Sequence, residues 1–122
     1  MLFVLVGLGA SFGAIARYLL DQAVSRRRAF AFPFGTWLIN ITGSFVLGLM
    51  TGLTAHHGLD TRVLAVVGTG ICGGYTTFST FSYETLRVAE DGSSGLAVGN
   101  ILGSFACGLG AAALGLGLAL AV

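Results

Sequence analysis

Residues 68–84 hold six Ser and Thr hydroxyls, a glycine pair (Gly73, Gly74) and two phenylalanines three positions apart, Phe78 and Phe81, within a long uncharged segment. In a bilayer an unsatisfied backbone group is costly, and a double glycine followed by β-branched Thr76 and Thr77 makes an uninterrupted helix unfavourable there. The stretch therefore predicts a broken helix. Carbonyls released at such a break can bind a cation, and the hydroxyls and amides that open the next half-helix can donate to an anion. Phe78 and Phe81 share a face of that second half, and aromatic ring edges carry partial positive charge.

The surrounding elements must hold this chemistry inside a membrane. The chain has 122 residues, 55% hydrophobic and 9% charged, far from the roughly 25% charged typical of soluble domains. With a net charge of +1 and no lysine, it has no basic surface for nucleic acid. Cys72 and Cys107 lie apart in apolar sequence without metal-ligand or disulfide spacing. The first twenty residues lack a basic leader and are read as a retained helix. A span takes about 20 apolar residues, so a single transmembrane domain (1–122) of four helices is expected, over about 2–20, 34–55, 61–89 and 96–121. A bundle of four leaves no ion-sized hole, and any pathway is expected between subunits.

Helix 1 carries Gly9 and Gly13 four apart, and Arg17 continues that line one turn on. Arg17 either snorkels to the interface or faces an aqueous vestibule. The loop 21–33 contains Arg26, Arg27 and Arg28 and the only proline. Five of the six arginines fall on one side of the membrane; taken alone, that bias puts both termini outside. Helix 2 has Asn40 at mid-depth one turn before a Ser44, Gly48, Gly52 stripe, and its amide serves either an interhelical bond or a pore. His56, His57 and Asp60 form a loop without a full metal ligand set. Near the end of helix 3, Glu84 and Arg87 have the spacing of a local ion pair, or Glu84 organises water at a pathway mouth. Helix 4 shows a Gly95, Gly99, Gly103 stripe, expected to be tightly packed, and a polar pair, Asn100 and Ser104.

Three segments, GLGASFGAIARY (7–18), GTWLINITGSF (35–45) and GICGGYTTFSTFSYE (70–84), closely resemble the CrcB/Fluc fluoride channels. The resemblance spans nearly the whole chain. It implies an all-α membrane protein of the cell (plasma) membrane, with the third of four helices broken near its middle. It also implies an antiparallel dimer that exports fluoride passively through two pathways. Phe78 and Phe81 would line these pathways, with Asn40 donating its amide and Ser79 and Thr80 their hydroxyls; Ser104 and Asn100 would form a polar track on helix 4. Arg17 and Glu84 match vestibule positions. A structural sodium ion would be held by the backbone carbonyls of Gly74 and Thr77 from both subunits. Asn100 stands where the family pattern usually has a tyrosine. The lopsided arginine count suits either a homodimer or a heterodimer of oppositely oriented homologous chains.

Two other functions fit a small helical membrane protein. A proton-coupled small-molecule exporter needs an acid at mid-membrane, and helix 1 has none between Leu2 and Leu20. A non-transporting membrane subunit suits the small-residue stripes but gives no use to hydroxyls and phenylalanines beside a break. A cation channel lacks flanking rings of acids, and no nucleophile has an activating partner for an enzyme. If the arginine bias governs insertion, a cysteine placed at position 28 will be labelled from one side of the membrane only. Equal labelling from both sides is the outcome expected of a homodimer.

Overall fold

The computed structural model describes residues 1–27 and 32–122 and, within them, is entirely helical. Four spans follow in order: α1 (Leu2–Arg27), α2 (Phe34–His57), a third span in two halves, and α5 (Ser94–Ala121). The halves are α3 (61–75) and α4 (Phe78–Glu90). Long, apolar α1, α2 and α5 are each able to cross a bilayer; the third span does so only as α3 plus α4.

Burial runs opposite to that of a water-soluble bundle. Among the described residues Ile39 is the one large hydrophobic in the core, whose other apolar members are Cys72, Ala97, Ala111 and Ala119, while Phe3, Phe12, Leu102, Phe105 and Leu114 are well exposed. Hydrocarbon removes the drive to hide large side chains and leaves close backbone packing as the main source of helix association. The chain is a multi-pass membrane protein.

Glycines set where the backbones meet. A methyl at Gly48 would strike the Ala112 carbonyl, and one at Gly115 would strike the Phe45 carbonyl, which joins α2 to α5 along their length. On α1, Gly9 and Gly13 lie against the Val66 and Ile71 carbonyls of α3. The part of α3 over Ala65–Cys72 is wound as a π-helix, a rare widening often associated with function. Asp60 starts α3 by accepting from the Arg62 N–H at 2.8 Å, and α2 stops at Gly58, whose left-handed φ of 66° lets its N–H return to the Leu53 carbonyl.

Several boundaries and contacts differ from the sequence expectation. Helix α1 continues to Arg27, seven residues beyond the apolar run, because a side-chain ladder of Tyr18, Gln22 and Arg26 stabilises the extra turns. Arg26 thus stands on a helix, and Arg28 lies outside the described residues. The Gly95, Gly99, Gly103 stripe meets nothing within 4 Å; inside the chain it is open, because α5 contacts α2 through Ala112, Gly115 and Ala119 instead.

Overpacking typically costs about 1–3 kcal/mol. Gly115→Ala is therefore expected to lower the thermal midpoint of the detergent-solubilised protein, while Gly117→Ala, which meets nothing within 4 Å, leaves it unchanged or raised. Equal midpoints for the two variants would contradict this packing.

Candidate functional site

The break falls at Thr76 and Thr77, whose backbones are extended (φ −75°, ψ 159° and φ −148°, ψ 126°). The glycine pair does not make it: Gly73 keeps helical dihedrals, φ −63° and ψ −39°. Glycine serves close approach here, since a methyl on Gly74 would strike the Ala10 carbonyl of α1. The two threonines leave the helix differently: Thr76 keeps its helical N–H bond and adds a hydroxyl to it, and Thr77 finds other partners. Thr76 donates through both N–H and Oγ1 to the Cys72 carbonyl, at 2.9 Å each. Thr77 caps α4, its Oγ1 accepting from the Thr80 N–H at 3.2 Å.

Helix α2 completes the arrangement through Asn40. Its Oδ1 accepts from the Thr77 N–H at 2.8 Å and its Nδ2 donates to the Thr77 carbonyl at 2.9 Å, so one side chain replaces the N–H bond lost at that residue and adds a donor to the carbonyl that opens α4. A carboxamide has two N–H donors, and the second remains for another acceptor. From the opposite side Arg17 Nη1 donates to the Thr76 carbonyl at 3.2 Å. Among the described residues no donor reaches the carbonyls of Gly73, Gly74 or Tyr75.

Beside the break lies an open groove of about 660 Å³ between α2, α3, α4 and α5. Asn40, Ser44, Thr76, Thr77 and Ser104 give it polarity, and Phe78, Phe81 and Phe105 give it aromatic walls; no Asp, Glu, Arg or His is among its described lining residues. The Phe78 and Phe81 rings lie 6.0 Å apart at 41°. Phe78 is 80% exposed, so the described residues leave most of it uncovered. The CrcB-like protein family, described as camphor resistance (CrcB), matches residues 4–116.

The chain belongs to the CrcB-like family. Similar relatives include the Fluoride-specific ion channel FluC 1 of Frankia casuarinae, 48% identical with all of this chain and 98% of that protein covered. The protein of the same name from Streptomyces avermitilis is 46% identical, again over all of this chain and 98% of its own length. That of Leifsonia xyli subsp. xyli is 48% identical over 93% of this chain and 82% of its own.

In this CrcB-like chain the groove brings together Asn40, Phe78, Phe81, Ser104 and Thr77, but not every residue singled out from the sequence. Ser79 and Thr80 are not among its lining residues; their hydroxyls lie 3.4 and 3.0 Å from Thr77 Oγ1 at the α4 cap. Asn100 is 1% exposed and ties α5 to α4, donating to Thr85 Oγ1 at 2.8 Å. Ser104 reaches the groove while donating to Asn100 Oδ1 at 3.2 Å; turning that hydroxyl would release its proton to an anion. Gly73 lines the groove and Gly74 does not.

Glu84 makes no ion pair with Arg87 among the described residues. Instead it faces Thr36 and Asp21, with Oε2 buried and unpartnered. Both Glu84 and Arg87 line a second cavity of about 500 Å³ at the start of α2. A three-residue spacing permits the pair, but α2 sits closer to Glu84 and draws it inward. Sequence reasoning missed the Arg17 contact with Thr76, although one signal for it existed: Arg17 shares a line with Gly9 and Gly13, which both face α3.

Asn40→Ala would strand the N–H of Thr77. Each unsatisfied buried group costs about 1–3 kcal/mol, so this variant is expected to unfold at lower temperature and to exchange amide hydrogens faster across residues 76–80. Wild-type exchange there would show that the amide does not hold the break.

Proposed function

We infer that the chain is a subunit of a fluoride channel in the cell membrane. The observation that carries this is an uncharged groove in which one Asn40 amide hydrogen and two phenylalanine rings are offered beside a helix break. The similarity to proteins named fluoride-specific ion channels extends over the whole chain.

Fluoride is small, strongly hydrated and a good hydrogen-bond acceptor. To leave water it needs several donors, yet a full charge at mid-membrane would hold it too tightly and be costly to bury. Neutral donors and ring edges are a graded substitute. Asn40, Phe78, Phe81 and Ser104 form the proposed route, and the hydroxyls of Ser79 and Thr80 extend it at the α4 cap. Asn100 acts by holding Ser104. Permeation is passive, and the donors fit chloride less well because it is larger.

The groove has walls on one side only. A second copy, inverted in the membrane, is the occupant that gives Phe78 a partner surface and gives two equivalent routes; an oppositely oriented homologous chain would serve equally. At the break, carbonyls without donors suit a sodium ion shared between the subunits, which when bound would neutralise them and rivet the dimer. Gly74 and Thr77 are the carbonyls assigned by resemblance. Gly73 and Thr77 line the open groove, Gly73 with no donor on its carbonyl, whereas Gly74 is packed against α1 and the Thr76 carbonyl is already engaged by Arg17. Glu84, with its buried oxygen beside the second cavity, is the proposed vestibule group.

Liposomes containing the purified protein are expected to release fluoride and to retain chloride and potassium. Chloride leaving as fast as fluoride would sink the selectivity. Phe81→Ile is expected to lower fluoride flux by about tenfold or more, the scale on which a lost specific contact slows a positioned step, with the dimer intact by size-exclusion chromatography. Undiminished flux in that variant would remove the rings from the route.

A further inference from the structure

On α1 the residues Gly9, Gly13 and Arg17 lie in one line, four apart. The first two press α1 onto the Val66 and Ile71 carbonyls of α3. Arg17 then comes level with the end of α3, where the Thr76 carbonyl points out of an extended backbone and receives Nη1 at 3.2 Å. A cation at this place also complements the negative end of the α3 dipole. Arg17 lines neither the 660 Å³ groove nor the 500 Å³ cavity beside Glu84.

We propose that Arg17 is a positioning residue of the break: by holding the Thr76 carbonyl it fixes the direction in which α4 departs, and with it the placement of Phe78 and Phe81 on the groove. Arg17 holds the carbonyl of the Thr76–Thr77 peptide from α1, and Asn40 holds the N–H of that same peptide and the next carbonyl from α2, so the peptide at the break is fixed at both its polar ends by two different helices. Without Arg17 the Thr76 carbonyl has no donor, and the two extended residues can turn until another is found. Helix α4 carries the rings and turns with them. Arg17 thus acts through backbone geometry and not by gathering anions.

The flux arm of the test rests on the fluoride-channel reading; the exchange arm does not. Flux from liposomes is measured against fluoride concentration for wild type, Arg17→Met and Arg17→Lys, at low and high ionic strength (Debye lengths of about 10 and about 3 Å). For Arg17→Met the maximal flux is expected to fall about tenfold, with the half-saturating fluoride unchanged and the loss equal at both ionic strengths. Amide exchange is expected to rise over residues 76–82 and to stay the same in α2 and α5. Recovery at saturating fluoride, or a loss confined to low ionic strength, would overturn the proposal in favour of anion collection.

Should Arg17→Met fail to fold, Arg17→Lys decides, because an ammonium keeps the charge but not the reach of the guanidinium fork. A lowered maximum with faster exchange at the break supports positioning. Wild-type flux and wild-type exchange in that variant overturn it. If wild type by itself passes no fluoride, the homodimeric channel reading fails while the exchange data still decide the role of Arg17.

Discussion

The two-point hydrogen bond between the Asn40 carboxamide and the backbone of Thr77 is the interaction on which the rest of the molecule depends. A helix interrupted at membrane depth exposes donors and acceptors where no water can satisfy them. Asn40 replaces, with one side chain, the bond that continuation of the helix would have made to the Thr77 N–H, and it holds the carbonyl of the same residue as well. Its position on α2 is set by close packing: Gly43 receives the Thr76 methyl, and Gly48 and Gly52 hold the same helix against α5. The break is therefore a property of three helices and not of the span that contains it.

Splitting the span has an electrostatic consequence. The end of α3 is the negative pole of one helix and the start of α4 the positive pole of the next, so opposite partial charges meet within two residues. Arg17 and the carbonyls of Gly73 to Tyr75 belong to the first pole; the Thr77 cap and the Phe78 to Thr80 turn belong to the second. A cation and an anion can each find a favourable surface here with no ionised side chain among the described lining residues of the groove.

Small residues play two different parts. Gly9, Gly13, Gly48, Gly74 and Gly115 remove bulk exactly where two backbones inside the chain touch, whereas Gly95, Gly99 and Gly103 stand open. Phe78 and Phe105, on the groove, are exposed too. Glycine on internal contacts sets how the helices of one chain approach, whereas the glycines of the open stripe on α5 have no such use within the chain.

Membrane class, four spans, a broken third one and the two phenylalanines on its second half follow from the sequence alone, because hydropathy, β-branched residues after a glycine pair and helical spacing are local properties. The function was legible for a different reason: three motifs resemble one family. Local patterns could not assign Gly74 to close packing, Gly73 to the groove and the break to Thr76 and Thr77, since glycine weakens a helix wherever it stands while its actual use depends on what lies opposite. Nor could they pair Glu84 with the start of α2 instead of with Arg87, bury Asn100 against Thr85, or bring Arg17 to the Thr76 carbonyl 59 positions away. Those choices are made by which helices touch and at what height, and a one-dimensional pattern carries the face of a residue but not its neighbour.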